Sequence, residues 1–189
     1  MVTDFDDFLN LQQVEFASQR LIVFTGCSGS GKSTAMSFLA ERHQSFRDRQ
    51  PITWLHLDTR PHLPVDQGLV LVDEVTQLRH LNLVRSLLGN GNGTVVVASH
   101  LPAVVWSVFK PFIKTRLFAT DQQPEKIARY LRRCNVEHSN AAVRIFCRQY
   151  GASFLDVDCI LECHPGRSFD EALQLVQKFD RIDHQPNVP

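Results

Sequence analysis

"RLIVFTGCSGSGKST", residues 20–34, decides the fold. Its first part, "RLIVFTG" (20–26), is a short apolar run bounded by glycine, and such a run reads as a strand buried on both faces. From Gly31 onward, "GKSTAMSFLAERHQSF" reads as the helix that follows it. Between them "GCSGSGKS" fits the pattern GxxxxGK[ST] at the strand-to-helix junction, where the mechanism of that pattern needs it. Glycines at 26, 29 and 31 let the backbone turn tightly and aim its N–H groups inward, so that the nest and the helix N-terminus hold phosphate oxygens. Lys32 then reaches the β- and γ-phosphates, and Ser33 offers its hydroxyl to Mg²⁺. Gly26, Cys27, Ser28, Gly29, Ser30, Gly31, Lys32, Ser33 and Thr34 are therefore the candidate loop for a nucleoside triphosphate, ATP with Mg²⁺.

Outward from this loop, apolar runs alternate with amphipathic stretches, which calls for a parallel sheet with crossover helices. "ITWLHLD" (52–58), "GLVLVDE" (68–74), "TVVVASH" (94–100) and "KTRLFAT" (114–120) are the further strands, the last of them on an edge. "LRHLNLVRSLLGNG" is a helix whose apolar positions recur at three and four and which stops at glycine and asparagine, and a short helix runs from Pro102 to Val108. Beyond Asp121 only helical patterns occur: "PEKIARYLRRCNV", "SNAAVRIFCRQYG", "SFLDVDCILECH" and "SFDEALQLVQKFDRI". Pro124 suits a helix start, and Ser139 and Ser168 suit N-caps. The expected architecture is an α/β nucleotide-binding domain with a five-stranded, mostly parallel sheet (residues 1–121), a small all-helical lid subdomain (122–182) and a frayed tail (183–189).

Two further strands end in polar residues. "LVLVDE" closes on Asp73 and Glu74; at the carboxyl end of a strand beside the loop strand, Asp73 would hold Mg²⁺ through a water, and Glu74 would polarise an attacking water. The consecutive acids favour hydrolysis over simple binding, because an acceptor that brings its own hydroxyl needs no water-activating glutamate. "TVVVASH" ends in Ser99 and His100, and if this strand lies between the other two, its tip faces the γ-phosphate. Either side chain would then orient water or report loss of the phosphate; strand-end capping explains them too.

The succession of phosphate loop, short strand, "DE" strand, helix, polar-tipped strand, edge strand and helical lid resembles an AAA+ P-loop ATPase, of the small initiator and helicase-loader kind. The resemblance covers about residues 15–163, with the loop and "VDE" as its tight motifs. It implies that Ser99 stands at the sensor-1 position and that Arg116 in "IKTRLF" points at a neighbouring subunit's nucleotide, hence a homo-oligomer. "YGASFLDVDCIL" resembles the family's third lid helix, in which an arginine usually reads the γ-phosphate; here Phe154 and Leu155 stand nearest that place. "GCSGSGKST" and "VVVASH" are also similar to ABC-type ATPases, with a histidine after the fourth strand. The absence of an LSGGQ-like signature and the short insertion before "VDE" make that the poorer fit.

At 189 residues and 43% hydrophobic, the chain can bury one substantial core with a small appended subdomain. Twenty basic residues balance twenty acidic ones, so no global field advertises a polyanion. Locally, Lys126, Arg129, Arg132, Arg133, Arg144 and Arg148 face only Glu125 and Glu137 between residues 125 and 150, a basic surface that nucleic acid, a subunit or solvent would meet. No apolar run approaches the roughly 20 residues of a membrane span and the start is acidic, so the expectation is a cytoplasmic protein with no membrane partner. Five cysteines, one of them inside the loop, suit a reducing compartment; Cys159, Cys163 and His164 are weak as a metal set because no CxxC accompanies them. Phe5, Phe8, Leu9, Leu11, Val14 and Phe16 are expected to wrap an adenine or cover the sheet edge, with a partner-binding segment as the alternative.

Three functions are expected from these residues. The first is an ATPase whose cycle drives a conformational change or assembly on a protein partner. A nucleotide-gated adaptor or loader with little turnover, recruiting a helicase, transposase or nuclease, is the second. The third is a small-molecule kinase, for which the loop Thr59 to Gln67 with Arg60 and His62 is the acceptor candidate.

Overall fold

The computed structural model describes residues 7–16, 18–47, 52–57, 68–89 and 93–183. Phe5, the loop Thr59 to Gln67 with Arg60 and His62, and the tail beyond Asp183 lie outside the described residues. The chain divides into two compact units. One holds the chain up to Cys27 together with Gly31–Thr120; the other holds Ser28–Ser30 together with the chain from Asp121 onward.

In the first unit β1 (Leu21–Thr25), β2 (Ile52–His56), β3 (Leu69–Val75), β4 (Thr94–Ser99) and β5 (Thr115–Ala119) form one parallel sheet in the order β2-β3-β4-β1-β5. β4, buried at all six positions, lies between the loop strand β1 and the acid-tipped β3. That meets the condition set for Ser99 and His100. It also corrects the expectation that Asp73 sits on a strand beside β1, since the most apolar run takes the middle of the sheet, where both faces are covered.

Alternate residues along each strand feed opposite faces. Ile22, Phe24, Leu71 and Val96 pack on Met36 and Leu39 of α1 (Lys32–Arg42). Leu21, Val23, Val72 and Val97 pack with Val84 and Leu87 of α2 (His80–Gly89) and with Trp106 of α3 (Ala103–Trp106). Covering both faces is why these strands read as unbroken apolar runs rather than as an alternation. β5 is only partly buried, as an edge strand should be.

The N-terminal segment joins the α1 face through Phe8, Leu9, Leu11 and Phe16. Its anchor is His43, fully buried just past the end of α1. The His43 Nδ1 accepts from the Ser45 N–H at 3.1 Å, so Nε2 carries the proton and is shared by the carbonyls of Leu11 and Val14, each at 3.1 Å. Eleven residues of α1 span about 16 Å. The segment therefore covers the sheet at the end of α1 opposite the glycine-rich loop, which supports cover over contact with an adenine.

The second unit carries α4 (Pro124–Arg133), α5 (Asn140–Tyr150), α6 (Phe154–Cys163) and α7 (Phe169–Asp183) around Leu131, Val143, Phe146, Val157 and Phe169. Ser139 and Ser153 cap α5 and α6 by accepting from the N–H groups of Ala142 and Asp156. Ser168 and Glu171 exchange hydrogen bonds at the start of α7, a capping box that fixes where the helix begins. Tyr130 donates to Asp158 at 2.6 Å, tying α4 to α6; burial, then the hydrogen bond and charge of Asp158, raise its phenol well above the ordinary range. Among the described residues no helix is long and apolar enough to cross a membrane.

Candidate nucleotide-binding site

The glycine-rich loop takes the backbone that its sequence demands. Gly29 (φ +67°) and Gly31 (φ +86°) lie in the left-handed region, where a side chain is strained. At Gly29 space is a second constraint: a Cβ there would stand 2.6 Å from the Leu155 Cβ and 2.7 Å from the Ser153 Oγ. Lys32, at the first position of α1, is buried, and its ammonium donates to the carbonyls of Gly26 at 3.0 Å and Cys27 at 2.7 Å. The lysine thus lies along its own loop, with its charge where anion oxygens would be drawn.

Ser33 Oγ donates to Asp73 Oδ1 at 3.1 Å, which brings the first turn of α1 to the tip of β3 across the intervening β4. The same carboxylate oxygen accepts the Glu74 N–H at 2.9 Å. Asp73 is buried, so its charge is held by these donors rather than by bulk water. A hydroxyl and a carboxylate this close form a hard oxygen donor pair of the kind Mg²⁺ takes.

Glu74 is the irregular residue of the sheet. Its φ is +60°, and the β3–β4 register breaks between Val72 and Val75, so Glu74 bulges out with its side chain 54% exposed. A left-handed conformation costs a residue other than glycine about 1–2 kcal/mol. The bulge turns the carboxylate towards His100, whose Nε2 lies 3.3 Å from Glu74 Oε2.

Ser99 and His100, paired by the sequence, part company in the structure. The Ser99 hydroxyl is fully buried; it donates to the Val75 carbonyl and accepts from the Leu101 N–H and the Trp106 Nε1, all within 3.1 Å. With three partners it ties β4 to β3 and caps the turn into α3, so the capping explanation fits Ser99 and the polar contact with Glu74 falls to His100. Trp106 went unread in the sequence, although a buried indole N–H needs an acceptor and Ser99 stands seven residues before it.

Arg116 lies on β5 opposite Ile22, three residues before the end of β1 and about 10 Å short of the loop along the strand. It is exposed, with its guanidinium 5.8 Å from the Phe118 ring centre, and the structure does not bring it to its own chain's loop.

The basic surface needs one correction. Arg129, Arg132, Arg133, Arg144 and Arg148 are exposed, but Lys126, grouped with them by local charge, is 1% exposed. Its ammonium donates to the Ser30 carbonyl at 2.6 Å instead of facing a polyanion. None of the five cysteines is in a disulfide, and no group of three or more His, Cys, Asp or Glu side chains gathers as a metal site among the described residues.

No family model matches the chain, and no curated protein matches it. Solved structures resemble it in fold. One of RuvB from Thermotoga maritima has a TM-score of 0.48 and 12% identity, over 86% of this chain and 61% of that one. A signal transduction ATPase with numerous domains, carrying a tetratricopeptide repeat sensor, from Pyrococcus horikoshii has a TM-score of 0.46 and 9% identity, over 86% of this chain and 30% of that one. The chain spans less than two thirds of either protein, and the likeness is one of fold alone.

Proposed function

We propose that this protein binds ATP with Mg²⁺ at Gly26–Thr34 and hydrolyses it, in the manner of an AAA+ ATPase, to drive a conformational change or assembly on a partner. The observation that carries the reading is the junction of Ser33 with Asp73 at 3.1 Å beside the outward-turned Glu74. Loop amides and Lys32 would bind the phosphates, and Ser33 and Asp73 would hold the metal. Mg²⁺, when bound, neutralises charge developing on the phosphates. Glu74 would take a proton from water at its carboxylate, and His100, in contact with it, would steady that carboxylate through a shared proton.

The test is ATP·Mg binding and phosphate release by the wild-type protein and by Lys32→Ala. Binding should weaken by at least about 100-fold in the variant if the lysine makes charge-assisted contacts with the phosphates. Equal binding by both proteins would sink the reading.

A switch with little turnover is the second reading, favoured by Phe154 and Leu155 at the place where the resemblance expects a phosphate-reading arginine. It predicts stable ATP binding with phosphate release near background in every assembly state. Arg116, exposed on the sheet edge, is proposed to complete a neighbour's site. Turnover per subunit should then climb with protein concentration, by about 10³–10⁵-fold for a residue of this kind. A flat profile across the monomer-to-oligomer range would remove it from the site. The exposed arginines of α4 and α5 are offered as a nucleic-acid surface, with affinity falling steeply as salt rises; salt-independent binding would exclude phosphate contacts.

A further inference from the structure

Two carbonyls at the tip of the glycine-rich loop are held by residues of the helical unit to which the tip belongs. The Gly29 oxygen accepts the Phe154 N–H at 2.9 Å, and the Ser30 oxygen accepts the Lys126 ammonium at 2.6 Å. Lys126 is 1% exposed, and its Nζ lies 4.7 Å from the centre of the Phe154 ring. Burying an ammonium is costly unless it is hydrogen-bonded and its charge is met, here partly by the ring face. An apolar residue would fill this place at lower cost, so the lysine answers a specific demand.

We propose that Lys126 is a positioning residue that presets the phosphate-binding face of the loop. A trans peptide is planar, and its C=O and N–H point to opposite sides. Holding the Gly29 oxygen therefore turns the Ser30 N–H away from Phe154, and holding the Ser30 oxygen turns the next N–H, that of Gly31, away from Lys126. Because Lys126 and Phe154 are neighbours, both N–H groups face the same way, and successive N–H groups so aligned form an anion nest. The nest is thus ordered before an anion arrives, which removes an ordering cost from binding. The role lies in backbone orientation, so Lys126 itself need not touch the ligand. This inference rests on the reading of the loop as a triphosphate site.

The probes are ATP with Mg²⁺ and inorganic tripolyphosphate, titrated into wild type, Lys126→Met and a Lys32→Ala control, with circular dichroism to confirm folding. Lys126→Met should bind both probes about tenfold more weakly, the scale of one charge-assisted hydrogen bond. Binding within about twofold of wild type, while Lys32→Ala has lost both probes, would overturn the positioning role and leave the triphosphate reading intact. Failure of wild type to bind either probe would overturn the reading and the role with it. Should Lys126→Met not fold, nitrogen-labelled wild type decides. Saturation with tripolyphosphate should shift the Ser30 and Gly31 amides while the Lys126 ammonium resonance persists, and loss of that resonance on binding would contradict the proposal.

Discussion

β3 and β4 lie side by side with fully buried apolar shafts, and their tips are built on opposite rules. At the tip of β4 the Ser99 hydroxyl is buried and has three hydrogen-bond partners. At the tip of β3 the register breaks, Glu74 sits at a positive φ, and a carboxylate projects into solvent beside His100. One tip gains stability from its polar residue. The other carries backbone strain and holds its side chain more than half in solvent, and strain of that kind clusters at functional sites. The comparison supports the proposal that Glu74 on β3 is the reactive carboxylate, with Ser99 on β4 as a structural tie.

Replacing the carboxylate while keeping its shape sharpens this contrast most. Glu74→Gln should slow phosphate release by about 10²–10⁴, the usual contribution of a positioned base, with ATP affinity unchanged; a loss below tenfold would put the base elsewhere. On the neighbouring strand, Ser99→Ala leaves Trp106 Nε1 and the Leu101 N–H without their acceptor and should cost about 1–3 kcal/mol in urea unfolding. Phosphate release per folded molecule should hold, and a release defect larger than the stability defect would break the comparison. His100→Ala removes a partly exposed contact and should change stability by less than about 1 kcal/mol. Glu74→Gly comes last in stability. Relief of left-handed strain, about 1–2 kcal/mol, outweighs the entropy of glycine, about 0.5–1, so unfolding should become harder by roughly 0.5 kcal/mol.

The sheet was legible because strands covered on both faces must be continuously apolar, as in "LIVF" of β1 and "VVVA" of β4. The helical unit was legible from its caps, Pro124, Ser139 and Ser168. Lys126 was misread because it was grouped with its basic neighbours by local charge alone, whereas its partner, the Ser30 carbonyl, is a backbone group present in every residue and so leaves no mark in the sequence. The bulge at Glu74 escaped for a similar reason. "LVLVDEV" contains no glycine to announce a positive φ, and only pairing with β4 reveals the break. The loop Thr59 to Gln67, on which the kinase alternative depends, lies outside the described residues.

Phosphate release after loading with an equal amount of ATP·Mg, measured for Glu74→Gly beside wild type, tests the account most directly. The account predicts that wild type releases its phosphate while the variant, folded at least as stably and binding ATP as tightly, releases it about 10²–10⁴ times more slowly. Equal release by the two proteins would contradict it.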